Sequence, residues 1–122
     1  MASTKEHLNS CQKYIQNNPK KRLLWTARMR AKRDNIEFSL LEDHIIIPEF
    51  CPYLGIKLTN IQGKGRKIYT NISIDRIDSS KGYTPDNIQI ISNLANRMKA
   101  DATEEQLITF AEGVLKLHAK TK

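Results

Sequence analysis

Asp75, Asn87 and Asn96 carry side-chain oxygens at intervals that a strand, a loop, a second strand and a helix bring together. Asp75 lies near the end of one short β-run, Ser73-Ile74-Asp75-Arg76-Ile77-Asp78, and a loop containing Gly82-Tyr83 follows. Asn87 opens a second β-run through Ile91-Ser92, and Asn96 sits in the helical stretch Asn96-Arg97-Met98-Lys99. In such a unit the strand end and the first turns of the packed helix lie side by side, so Asp75 and Asn96 can face one divalent cation. An anionic oxygen and a neutral carbonyl oxygen suit Mg²⁺, which keeps several waters and takes substrate phosphate as a further ligand. Phosphodiester hydrolysis needs such a cation and a means of activating water. Taken singly, Asp75 reads as a turn carboxylate and Asn96 as a helix-surface amide; their joint spacing argues for the site.

With Cys51-Pro52-Tyr53-Leu54-Gly55 upstream, these motifs resemble the HNH (ββα-metal) nucleases, and among them a small phage or homing-type branch. The resemblance runs from about residue 14 to 110 and is most specific between Cys51 and Lys99. It implies an α+β fold with a ββα-metal core and a metal-dependent DNA endonuclease. Asp75 and Asn96 would hold Mg²⁺ or Mn²⁺, and Asn87 would brace the loop by side-chain hydrogen bonds that orient the catalytic residue. Arg76 departs from the pattern, because relatives carry there the His that takes a proton from the attacking water. A guanidinium stays protonated and cannot do so. Three explanations stand: metal-bound hydroxide attacks while Arg76 clamps the phosphate, another residue such as Asp78 or His44 supplies the base, or cleavage is lost and binding remains. An intact constellation favours the first, with Arg76 as electrostatic stabiliser. Many relatives also carry a zinc knuckle. Here its positions read Cys51, Leu54, Ser92 and Ala95, so no structural zinc is expected and apolar packing must replace it.

The elements that position these residues follow from local signals. Asn18-Pro19 reads as an N-cap with proline at the first helical position, and Lys20 to Arg33 runs on without Gly or Pro. Leu24, Ala27 and Ala31, with Trp25 and Met29 beside them, would pack, while Lys21, Arg22, Arg28, Lys32 and Arg33 reach outward. Residues 1–17 add at most a frayed helix. Ser39 is a candidate cap for one short turn, residues 51–59 suggest a tight hairpin, and strand character resumes at Ile68-Tyr69 and from Ile72 to Ile77. Thr103 and Gln106 have capping-box spacing before a last helix whose apolar residues, Leu107, Phe110, Ala111, Val114 and Leu115, are expected to pack on the core. Two units result: a basic helical extension, 1–35, and an HNH-like domain with C-terminal helix, 36–122.

The chain has 122 residues and a net charge of +7, room for one modest domain. All of the excess is N-terminal: residues 1–34 hold nine Lys/Arg against two acids, and the remainder balances eleven against eleven. A polyanion is the natural partner of so concentrated a basic segment, since each neutralised phosphate releases counterions. Arg28, Arg30, Lys32, Arg33, Lys64, Arg66, Lys67, Arg97 and Lys99 are the candidate contacts to DNA. No secretory signal or membrane-length apolar run is visible, and the two cysteines, Cys11 and Cys51, suit a reducing compartment, so a cytoplasmic protein is expected. A binding module alone explains the basic segment but not the spacing of Asp75, Asn87 and Asn96. A structural protein explains only the last helix.

Overall fold

The computed structural model describes residues 17–62 and 67–120. Helix α1 spans Pro19–Asp34. Pro19 occupies its first turn, where the missing N–H has no partner to lose, and Asn18 is extended before it. The Asn18 carbonyl accepts from the Arg22 amide at 2.9 Å, although its side chain makes no cap bond. Asn35, left-handed at φ 54°, ends the helix, and the amide of Ile36 closes on the Ala31 carbonyl. The buried stripe is Leu23, Ala27 and Ala31, rotated from the expected one: Leu24 is half-buried, and Trp25 and Met29 are 50% and 37% exposed. Two alanines on that face let the helix approach the sheet closely, which leaves no depth for the larger Trp25 and Met29 beside them.

Strands β1 (Ile72–Arg76) and β2 (Ile88–Ser92) pair antiparallel, with Ile74 opposite Ile90 and Asp75 opposite Gln89. Cross-strand partners share a face, so the ribbon has two different sides. Ile72, Ile74 and Ile90 join Leu23, Ala27, Ala31, Leu40, Ile45 and Tyr83 in the main core under α1. Ser73, Asp75, Gln89 and Ile91 point the other way, toward helix α2 (Asn93–Lys99). Burial on both sides explains why β1 reads as a nearly continuous buried run rather than an alternating one. Ser92 caps α2 by accepting from the Ala95 amide at 3.0 Å.

The loop between the strands is sewn to the chain after α1. The Tyr83 amide donates to the Glu37 carbonyl, and the Ser39 amide to the Tyr83 carbonyl. A Cβ on Gly82 would sit 2.6 Å from the Glu37 carbonyl oxygen, so glycine is required there by lack of space. Residues 50–57 form the expected tight hairpin around Gly55 at φ 71°, with Phe50 bridged to Lys57. At its base Cys51 is buried with Ile91 and Ala95, and Ser92 donates to Cys51 Sγ from its amide (3.5 Å) and hydroxyl (3.4 Å). Burial pushes the thiol up, and these bonds together with the backbone amides of Leu54 and Tyr53 outweigh that and leave it below its ordinary range. Three of the four knuckle positions therefore meet through packing and hydrogen bonds.

Other expectations are corrected. The short turn is a 3-10 turn at Glu42–His44, closed by the Leu41 amide donating to His44 Nδ1, and Ser39 is not its cap. Residues 68–69 form no strand; Tyr69 enters a turn, Asn71 is bridged to Thr59, and strand β1 begins at Ile72. Helix α3 (Glu104–Lys120) opens with the expected reciprocal box, Thr103 N to Gln106 Oε1 and Gln106 N to Thr103 Oγ1. Its apolar face does not pack on the core: Phe110 is 71% and Leu117 66% exposed. Among the described residues no helix is long and apolar enough to cross a membrane.

Candidate active site

The end of β1, the first turns of α2 and the last turn of α1 converge on a cleft of about 310 Å³. Asp75, Asn96 and Arg76 line it together, with Arg30, Arg33 and Asp34 from α1 and Asp101 after α2. The register puts Asp75 on the α2 side of the ribbon, and the helix brings Asn96 to the same wall. The sequence spacing of these two residues therefore does converge on one opening.

Asp75 is 7% exposed and is held from two elements. Gln89, its cross-strand partner, donates from Nε2 to Oδ2 at 2.9 Å, and Lys99 Nζ from α2 lies 3.2 Å from the same oxygen. The Lys99 ammonium also donates to the Arg76 carbonyl at 3.1 Å. Lys99, expected among the DNA contacts, is instead 5% exposed, spent inside the site. A buried carboxylate needs such a partner, because desolvation costs several kcal/mol per ion. Asn96 Nδ2 donates to Ser73 Oγ at 2.6 Å, which turns its carbonyl oxygen away from Ser73.

Arg76 is half-buried, its Nη1 donating to the Lys81 carbonyl at 2.9 Å and its guanidinium 5.3 Å over the Tyr83 ring. Tyr83 is buried in the core and serves as the platform for Arg76. Asn87 braces the loop. Its Oδ1 accepts from the Asp78 amide, and its Nδ2 donates to the carbonyls of Asp78 (3.1 Å) and Gly82 (2.8 Å). It is buried and positions the loop from beneath rather than lining the cleft. Asp78, one of the alternative bases, accepts from the Ser80 hydroxyl and amide, which hold its carboxyl below the usual range. Neither it nor His44, bonded to the Leu41 amide, lines the cleft.

The basic residues divide by position. Arg30 donates to the Ile74 carbonyl at 3.3 Å and, with Arg33, borders the cleft. Arg33 forms a bidentate pair with its neighbour Asp34, at 2.9 and 2.8 Å. Arg28 is exposed over the Phe38 ring, and Lys32 and Lys67 are exposed. Arg97 donates to the Tyr69 hydroxyl on the outer side of α2. Lys64 and Arg66 lie outside the described residues, as do residues 1–16, over which a frayed helix was expected.

Sequence reasoning missed Gln89, Ser73 and the inward turn of Lys99. Gln89 was legible, since a polar residue between Ile88 and Ile90 faces opposite to them. The donor set fits a hard divalent cation only narrowly. One carboxylate oxygen of Asp75 and the Asn96 carbonyl can serve it, while Lys99 claims the other Asp75 oxygen. Among the described residues no cluster of three His, Cys, Asp or Glu stands ready for a metal.

Neither a family model nor a curated protein matches the chain. A solved structure of the rare-cutting HNH restriction endonuclease PacI is similar at a TM-score of 0.55 and 20% identity, over 80% of this chain and 79% of that one. The chain thus has the small α+β architecture of an HNH ββα-type protein.

Proposed function

We propose that the protein is a divalent-metal-dependent DNA endonuclease that hydrolyses phosphodiester bonds. The observation that carries this reading is the meeting of Asp75 and Asn96 in one cleft rimmed by Arg30, Arg33 and Arg76, on a fold shared with an HNH restriction endonuclease. When bound, Mg²⁺ or Mn²⁺ would bind the scissile phosphate and offset charge on the leaving oxygen. The chain's own residues do the rest. Lys99 and Gln89 fix the Asp75 carboxylate, and Ser73 sets the rotamer of Asn96. Arg76, held by the Lys81 carbonyl and Tyr83, presents a fixed positive charge where relatives carry a base, a role that stabilises an oxyanion rather than moving a proton. A phage or homing setting belongs to this reading through the motif resemblance, and a cytoplasmic site of action through the two cysteines, which suit a reducing compartment.

One observation favours a second reading, an HNH-derived module that binds DNA with weak or no cleavage. The Lys99 ammonium lies 3.2 Å from Asp75 and competes with a metal for that carboxylate. Supercoiled plasmid incubated with the full chain separates the two. The endonuclease nicks or linearises it with Mg²⁺ or Mn²⁺ and not with EDTA. Retained DNA binding with no cleavage in any divalent ion establishes the second reading.

A further inference from the structure

Lys99 reaches the site from behind. It ends α2 and borders an apolar groove with Ala95, Met98 and Leu107, and it does not line the cleft. Its ammonium nonetheless meets the cleft's carboxylate, 3.2 Å from Asp75 Oδ2, while donating to the Arg76 carbonyl at 3.1 Å. Gln89 donates to that same oxygen at 2.9 Å. Both contacts fall on Oδ2, so Oδ1 is the oxygen left for the cleft that Asp75 lines beside Asn96. Replacing a buried ion pair by apolar residues is often neutral or stabilising, so stability alone is a weak reason for an ammonium in this groove.

Among the described residues the cleft is lined by three arginines, Arg30, Arg33 and Arg76, and three aspartates, Asp34, Asp75 and Asp101, whose charges cancel. Lys99 adds one more positive charge directly on the carboxylate, and at 5% exposure little water screens it. A divalent cation arriving alone therefore meets a carboxylate already neutralised and a surround of net positive charge. A DNA phosphate reverses that balance, since it brings both a negative charge and an oxygen ligand of the kind Mg²⁺ favours. Cation and phosphate then depend on one another, and a coupling of this kind is reciprocal.

We propose that Lys99 is a built-in counter-ion that makes cation binding at Asp75 conditional on DNA. It holds the carboxylate neutralised and in place, keeps the free chain's affinity for Mg²⁺ or Mn²⁺ low, and admits the cation only when substrate phosphate supplies the missing negative charge. Lys99 is thus a positioning residue that regulates the site, and the inference rests on the reading of Asp75 and Asn96 as cation ligands.

Electron paramagnetic resonance of Mn²⁺, whose free-ion signal disappears on binding, tests it on the full chain. Wild type without DNA takes little Mn²⁺, and Lys99→Met takes it at least about tenfold more tightly, the scale of a unit charge acting at this distance. Lys99→Gln keeps an amide donor without the charge, and it replaces Lys99→Met if circular dichroism shows that variant unfolded. Adding Asp75→Asn to either one abolishes the gain, which ties it to the carboxylate. Fluorescence anisotropy with a labelled phosphorothioate duplex, which keeps the charge of DNA and resists hydrolysis, reads the other side of the coupling. At matched ionic strength, Mn²⁺ in place of EDTA tightens wild-type binding about 5- to 150-fold. A free wild type that binds Mn²⁺ as tightly as the Lys99 variants overturns the proposal and leaves the cation site standing. So does a wild type whose DNA affinity is indifferent to Mn²⁺ while the Lys99 variants bind the ion. If neither wild type nor variants bind Mn²⁺, with DNA or without, the assignment of Asp75 and Asn96 falls and the proposal with it.

Discussion

At the scale of single residues, the site depends on a buried ion pair that spacing alone does not reveal. Asp75 is shielded from water on three sides by its own strand, Gln89 and Lys99. Asp75→Ala therefore does more than delete a candidate metal ligand: it strands the Lys99 ammonium at 5% exposure. We expect that variant to lose about 3–5 kcal/mol, the usual penalty for breaking a buried pair from one side, measured by urea unfolding. Asp75→Asn keeps an oxygen acceptor for Gln89 and Lys99 but leaves the buried ammonium without a counter-charge, so it should lose less than Asp75→Ala and still fall below wild type. Losses near zero in both variants would show that the pair contributes little. Asp75, Asn87 and Asn96 were legible because a strand end, a loop brace and a helix turn each demand a particular residue type at a particular interval. Lys99 was not, because a lysine ending a helix beside Arg97 reads as a solvated charge. Its burial follows from the three-dimensional closeness of α2 and β1.

At the scale of elements, α1 and the inter-strand loop carry two further expectations. Arg28 and Lys32 are exposed on α1, and Arg30 and Arg33 border the cleft, so the helix presents charge to a backbone lying across the opening. Neutralising these four residues should flatten the slope of log affinity for duplex DNA against log salt by about 0.9 for each phosphate that is no longer neutralised. An unchanged slope would place that face away from nucleic acid. In the loop, the Ser80 hydroxyl and amide depress the Asp78 carboxyl. A carboxylate whose folded pKa lies below its unfolded value adds stability above the unfolded pKa and loses it as pH falls through the folded one. Ser80→Ala should therefore raise the Asp78 titration midpoint toward the ordinary carboxylate value, followed by NMR of the side-chain carboxyl. A midpoint that does not move would assign the shift to the backbone amide alone. The rotation of α1 was not legible: Leu23 and Leu24 are equivalent in pattern, and only the depth available over β1 decides between them.

At the scale of the whole molecule, two strands and two helices enclose the site, and the third helix stays outside that core. The sequence resemblance anticipated the ββα arrangement because its motifs span the elements that build it, whereas the packing of α3 has no motif. An amphipathic pattern states that a face seeks cover and not which surface supplies it. In the proposed function, Asp75 and Asn96 form a hydrolytic centre with a divalent cation. Single-turnover cleavage of a labelled DNA duplex by wild type and by Asp75→Asn, each with Mg²⁺ or Mn²⁺ and each with EDTA, tests it most directly, with unfolding curves showing both chains folded. Wild type should cleave, EDTA should abolish that cleavage, and Asp75→Asn should give none above background. Cleavage by Asp75→Asn at the wild-type rate, or wild-type cleavage indifferent to EDTA, would contradict it.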